Sequence, residues 1–466
     1  MRSFTVCSPA ILALAAFAAL INALLWSTQG ADADLHALWN AGELVRTDRT
    51  YDLYDASAYR GRPFFALPLL AVIAAPLTAV VPLGAAQFLL AAAQGFCLVL
   101  FLASAYYFWA KRPASLAWLA PAATLAWFSA AFQIGSANGS LMPLVLAATA
   151  WALAVAPTRP ARAGVALGVA SALALVPLVL VVPLLLWPRT RLAGAWAAVG
   201  AGAAVVLSAL FAGLNSVRSW VGLLGDVGGG AVLSKENQAF SAIIMGARES
   251  LPRGVSTRVL ADSPGWVHLI ALLTALLLAA AACWLAGLRR AYAQEILLVG
   301  WLCAACLASP LLWVSSLLVL VLPIVGVLAM VRARRYQDAL WTPLALVALL
   351  LFWPLASTTS FEDDGMELPW GGLLAAFLVS VLFLLAAAAP GPGEAPTARL
   401  EQDAAPVPAG GGDPHSQART WYRLGTQASR DFLSSLPTPG EAHAAPGESH
   451  AAPSEGAGRG GQARDQ

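Results

Sequence analysis

Asp34 stands in the stretch A-D-A-D-L-H-A-L-W-N-A-G-E-L-V, which is followed by T-Y-D-L-Y-D and then F-F-A-L-P-L-L. A carboxylate can take the proton of an attacking hydroxyl group. One such base suffices when the leaving group is a phosphate, which departs without needing an acid. That suits an inverting displacement better than the paired carboxylates of glycoside hydrolases. A departing phosphate also needs cations, and Arg46, Arg49, Arg60, Arg62 and Arg248 are available in polar stretches, with guanidinium forks that match phosphate oxygens. Asp32 is the spare candidate for the base, and Asp34 is equally suited to cap a helix that begins at Leu35. His36 reads as an interfacial side chain. Asp52 and Asp55 read as a turn with ion pairs to Arg46 or Arg49.

Other chemistry finds little support. The chain has no G-x-S-x-G, no Walker A sequence, no H-E-x-x-H and no G-x-G-x-x-G behind a strand. Five histidines and five cysteines leave no zinc pattern, so no metal ligand is assigned. An Asp32/Asp34 pair could hold a divalent ion, but nothing requires one. Cys303 and Cys306 form a C-x-x-C inside an apolar run, where small hydrophobes packed in a helix are the simplest reading.

The elements that must position these groups are membrane helices. Of 466 residues, 59% are hydrophobic and only 11% charged, and the mean hydropathy is +0.71. A soluble domain carries about 25% charged residues, and a porin-type barrel alternates apolar with polar residues. Here the apolar residues run for about twenty at a time, enough to cross roughly 30 Å of hydrocarbon as helix. The 27 basic and 25 acidic residues nearly cancel, which excludes a nucleic-acid partner.

The first run, about 10–26 behind Arg2, reads as a retained signal anchor. Further spans are predicted at about 64–83, 86–110, 115–133, 138–157, 164–187, 192–213, 266–288, 295–308, 311–331, 339–357 and 371–389. The expected fold is therefore an all-α polytopic bundle of about 11–13 spans. Polar stretches at about 29–63 and 215–264 are too charged for lipid, at about +2.5 to +3.5 kcal/mol per charged residue at a helix centre. They are expected as external loops, the first with short helices on the membrane surface. Arginines at 289–290 and 332–335 fall inside by the positive-inside rule. The 164–187 segment has arginines at both ends and is interrupted by Pro177 and Pro183, which predicts two half-helices. Gly164 and Gly168 predict a close helix contact. The membrane domain ends near 389, and the Gly/Pro-rich segment 390–466 is expected to be a disordered cytoplasmic tail.

The first external loop resembles that of glycosyltransferase family 87, membrane enzymes of GT-C architecture that use polyprenyl-phosphate sugars. Asp34, Trp39, Gly42, Leu53, Tyr54, Phe65, Pro68 and Pro76 fall at the places of that family's acidic residue, aromatic-x-x-Gly, Leu-Tyr, Phe and prolines. Asn138 in I-G-S-A-N-G-S resembles its Gly-Gln-x-Asn. Asn237, Gln238 and Arg248 resemble an Asn-Gln-Ser element with a downstream arginine, and Ser309, Pro310 and Trp313 a Ser-Pro-x-x-Trp. Ser136, Ala174 and Ser315/Ser316 depart from the family's usual Gln, Lys and His.

The resemblance implies a plasma-membrane hexosyltransferase, plausibly a mannosyltransferase, with its active site facing outside. The donor would be a polyprenyl-phosphate sugar and the acceptor a lipid or glycan. Asp34 would be the general base, and Tyr54, Asn138, Asn237, Gln238, Arg248 and Trp313 would contact substrate. The competing readings are a catalytically degenerate partner subunit, supported by the three departures, and a lipid or solute transporter without chemistry.

Overall fold

The computed structural model describes residues 8–26, 33–55, 62–248, 257–260, 262–288, 292–331, 358–361 and 366–388. Contacts divide the chain into a unit 1–395 and a unit 396–466. All described residues belong to the first. The expected tail, the span at 339–357, Asp32 and Arg60 lie outside them.

The described chain is almost entirely helical, as the sequence predicts. The helices are α1 (Pro9–Trp26), α2 (Ala33–Arg46), α3 (Pro68–Val80), α4 (Leu83–Ala110), α5 (Leu116–Phe128), α6 (Ala130–Ala137), α7 (Met142–Val155), α8 (Pro160–Leu173), α9 (Val181–Leu186), α10 (Arg191–Phe211), α11 (Leu214–Gly229), α12 (Phe240–Gly246), α13 (Gly265–Leu288), α14 (Ala293–Ala308), α15 (Val321–Val331) and α16 (Gly371–Ala388). Two antiparallel strand pairs interrupt them. β1 (Ala231–Ser234) pairs with β2 (Thr257–Leu260), and β3 (Thr358–Phe361) pairs with β4 (Met366–Pro369).

Helices α1, α4, α10, α13 and α16 are long and apolar enough to cross a membrane, and α5 with α6 forms a further candidate bent by 62°. The other predicted spans appear as shorter apolar helices: α3, α7, α8, α14 and the 176–186 and 314–330 segments. Prolines account for part of this. Pro68 and Pro160 open their helices at the first turn, where a missing N–H costs nothing. The predicted break in the 164–187 segment is present. Helix α8 stops at Leu173, Ala174 is extended at φ −152°, ψ 140°, and the chain resumes as a 3-10 turn, Val176–Leu180, before α9. Pro177 contributes to the stop, because it has no N–H to offer the carbonyl of Leu173 four residues behind it.

Packing follows the small residues. Gly164 and Gly168 of α8 face α10. A Cβ on Gly164 would lie 2.4 Å from the Cβ of Trp196, and one on Gly168 would lie 3.0 Å from the Cα of Gly200. The backbones meet there because no side chain stands between them, as van der Waals-driven helix association in lipid requires. Gly42 does the same for α2 on α3, where an added Cβ would sit 3.0 Å from Ala74. The main core gathers α4, α7, α14, α15 and α16 around Phe101, Phe108, Trp109 and Phe383. Cys303 and Cys306 are buried free thiols within it.

The described parts of the two polar stretches hold short elements. α2 lies in the first. The second holds α11, the β1–β2 pair and α12. α11 anchors to the first through Ser216 Oγ, which donates to Thr50 O at 3.2 Å, and Trp220 Nε1, which donates to Phe65 O at 3.2 Å.

Candidate active site

Asp34 occupies the first turn of α2, where a negative charge is favoured by the helix dipole. The N–H groups of Asp34 and Leu35 donate to the carbonyl of Asn138, at 3.0 and 3.1 Å. The α6–α7 turn therefore satisfies donors that a helix N-terminus always leaves open. Gly139, at φ +69°, makes that turn, and a Cβ there would lie 2.6 Å from the Cβ of Leu35. The turn is braced from beneath by Gln94, whose amide donates to Ser140 O at 2.8 Å, and by Asn22, which donates to Ser136 Oγ at 3.4 Å.

Opposite α2 runs the extended segment that begins at Arg62. Arg62 is 6% exposed, whereas the side chains of its two carboxylate partners are 28% and 26% exposed. Its Nη1 donates to Asp34 Oδ1, and its Nη2 donates to Glu236 Oε2 at 2.7 Å. Its guanidinium stacks over Trp313 at 4.0 Å from the ring centre, a cation–π contact that strengthens away from water. Burial alone would lower the pKa of Arg62. The charges of Asp34 and Glu236 outweigh it, and the guanidinium is held above its ordinary value. Asn138 Nδ2 donates to the same Glu236 oxygen at 2.6 Å. Asp34, Arg62, Glu236, Asn138 and Trp313 thus form one cluster drawn from five separate segments.

Asn237 builds the wall behind it. Its Nδ2 donates to Val232 O at 2.9 Å and Pro310 O at 3.1 Å, and its Oδ1 accepts from Leu312 N at 2.9 Å and Ala239 N at 3.2 Å. Gln238 N donates to Leu312 O at 2.8 Å, and Val314 N donates to Glu236 O at 2.9 Å. These bonds fasten the Glu236 turn to the Ser309–Trp313 segment, and so fix Glu236 and Trp313 relative to each other.

Three members of the cluster, Asp34, Arg62 and Trp313, line a cavity of about 540 Å³, while Asn138 and Glu236 are not part of its lining. Asp34, Arg62, Ser140, Ser315 and Trp313 supply polar lining, and Phe65, Leu70, Leu173, Val205 and Leu224 are among its many apolar walls. Ala174, where the chain departs from the family's usual lysine, lines the same cavity. The 160–186 break is what opens the wall on that side.

Three of the residues singled out in the sequence, Asp34, Asn138 and Trp313, converge with Arg62. The other four stand elsewhere. Tyr54 donates its hydroxyl to Ala66 O at 2.7 Å and packs on Phe64 at 5.9 Å, supporting the segment that carries Arg62. Asn237 is the wall fastener just described. Gln238 is fully buried against Gly372 of α16, away from the cavity lining. Arg248 is exposed, 6.0 Å from the Trp266 ring, and does not line the cavity. Arg46 and Arg49 are paired with Glu43 and Asp52 within their own segment. Glu236 is the site residue that sequence reading missed, although it stands immediately before Asn237. Among the described residues no group of three or more His, Cys, Asp or Glu side chains converges as a metal site.

Fold and site together define an integral membrane protein with a charged cluster bordering an apolar cavity. The family model of glycosyltransferase family 87 matches residues 64–310, just over half of the chain, and the chain belongs to that family. It is a membrane glycosyltransferase. The match spans Asn138, Glu236 and Asn237, while Asp34 and Arg62 precede it and Trp313 follows it; geometry brings these three into the same site. No curated protein and no solved structure matches the chain.

Proposed function

We propose that the protein transfers a hexose, plausibly mannose, from a polyprenyl-phosphate sugar to a hydroxyl of a lipid or glycan acceptor at the external face of the plasma membrane. The observation that carries this reading is the union of one buried arginine, a carboxylate and a large apolar cavity. A polyprenyl-phosphate sugar has the matching parts: an apolar chain, a phosphodiester and a polar sugar. The chain would lie along Leu173, Val205 and Leu224, and the phosphate would meet Arg62.

The acceptor oxygen attacks the anomeric carbon of the sugar as the bond from that carbon to the phosphate oxygen breaks. The acceptor proton passes to Asp34, and the bonding pair leaves on the polyprenyl phosphate. Negative charge on the phosphate rises by one unit as the bond breaks. A fixed guanidinium with little water around it stabilises that rise more than bulk solvent would. Inversion follows from a single displacement. No step calls for a metal ion, and a divalent ion beside the carboxylates stays open to titration in the same assay.

The test uses the full-length protein in membranes or detergent. Radiolabelled donors, a small panel of polyprenyl-phosphate hexoses, are supplied with membrane lipid extract, and label in the lipid or glycan fraction is followed. Transfer from one donor, abolished by Asp34→Asn, supports the reading. A folded protein that transfers from no donor would return the partner-subunit reading to the front.

A further inference from the structure

The charge count at the site is unbalanced for its proposed donor. Two carboxylates, Asp34 and Glu236, share the single guanidinium of Arg62, so the triad carries a formal charge of about −1. An anionic phosphate meets net repulsion unless one carboxylate withdraws. The two are held differently. Asp34 is fixed through its own backbone, which bonds to Asn138 in the first turn of α2. Glu236 stands in the turn between β1 and α12, and among the described residues its side chain is held through one oxygen, by Arg62 Nη2 at 2.7 Å and Asn138 Nδ2 at 2.6 Å.

The arginine itself is incompletely used. Nε and Nη2 form one edge of a guanidinium, an edge suited to two oxygens of one anion. Glu236 engages Nη2, whereas Nε is buried and has no hydrogen-bond partner among the described residues. A buried charged donor left open is costly, and Arg62 lies in the cavity wall. An anion with two or more oxygens seated on that edge would satisfy Nε, keep Nη2 occupied and still accept from Asn138.

We propose that Glu236 is a built-in placeholder for the donor phosphate: its carboxylate fills the anion position on Arg62 and Asn138, and the phosphate binds by displacing it. This rests on the reading of the cavity as a polyprenyl-phosphate site. Glu236 thereby sets donor affinity. It keeps the buried arginine neutralised in the empty protein, and it makes weak single-oxygen anions poor competitors.

The experiment measures binding of a polyprenyl monophosphate to the full chain in detergent, comparing wild type with Glu236→Gln and Glu236→Asp. Glutamine keeps the shape and an accepting oxygen but removes the competing charge. Glu236→Gln should bind about tenfold more tightly, roughly 1.4 kcal/mol, and Glu236→Asp, which keeps the charge, should stay near wild type. The thermal transition of each variant establishes that it is folded, and the surviving Arg62–Asp34 pair should hold it so. Wild-type binding with Glu236→Gln unchanged or weaker overturns the placeholder. If Glu236→Gln proves unfolded, Glu236→Ala, which removes both the competing charge and the occupying oxygen, takes its place with the same expected gain, and unchanged or weaker binding overturns the idea. Absence of binding in folded wild type and both variants instead overturns the donor-site reading on which it rests.

Discussion

Replacing Asp34 with Asn removes a proton acceptor while leaving its surroundings nearly intact. Asn Oδ1 can still accept from Arg62 Nη1, and the backbone bond from residue 34 to Asn138 O is untouched. Arg62 keeps Glu236 at 2.7 Å, so no buried charge is stranded, and the several-kcal/mol penalty of breaking an isolated buried pair does not apply. What is lost is the difference between a charge-assisted and an ordinary hydrogen bond, about 1 kcal/mol, which the thermal transition will show as a small shift. Turnover should fall by roughly 10²–10⁴, the range for loss of a general base, equivalent to about 3–5 kcal/mol in the barrier. Removing a negative charge beside Arg62 should also leave the donor KM unchanged or lower it. The assay is steady-state transfer with donor varied at saturating acceptor, next to a stability measurement. Full turnover in Asp34→Asn would refute the base assignment. A rise in donor KM that accounts for the whole loss in kcat/KM would show that Asp34 binds substrate and does not take its proton. A dead Glu236→Gln beside a live Asp34→Asn would move the base across Arg62 to Glu236.

Other perturbations follow from the packing. Gly139→Ala places a side chain at φ +69° against Leu35 Cβ; a left-handed non-glycine costs about 1–2 kcal/mol, and displacement of Asp34 should lower turnover at least tenfold, read as kcat with donor KM little changed. Gly164→Leu drives α8 from α10 at Trp196 and should destabilise the protein by about 1–3 kcal/mol, visible as a lowered thermal transition in detergent; an unchanged transition would mean that the two helices separate freely.

Much of the fold was legible because lipid imposes its own grammar. Long apolar runs gave α1, α4, α10, α13 and α16 directly, and the prolines at 177 and 183 marked the break that shapes the cavity. Span number was less legible. Apolar runs record what tolerates lipid, while helix length depends on where the backbone bends, and a run such as 115–133 becomes two helices at 62°. The short β1–β2 pair was not foreseen, since four-residue strands in a charged loop carry little period-two signal. At the site, the sequence offered Arg46 and Arg49 to phosphate along with three other arginines, whereas the structure pairs them with Glu43 and Asp52 three residues away. The sequence did not single out Arg62 among the five, and it passed over Glu236, because their contact spans 174 positions of sequence.

The motif I-G-S-A-N-G-S shows why a residue type can be right while its mechanism stays hidden. Asn138 was chosen as a substrate-binding amide, with satisfaction of loose backbone at a span end as the rival reading. In the structure its backbone and its side chain do different work. Its carbonyl closes the open N-terminus of α2, and its Nδ2 holds Glu236 on Arg62. Gly139 supplies the left-handed step that makes this double use feasible. Asp34 and Glu236 are therefore registered to each other through one turn, although they come from the two separate polar stretches. A displaced turn would shift both at once, so Gly139→Ala should disturb the chemistry more than its modest cost in stability suggests.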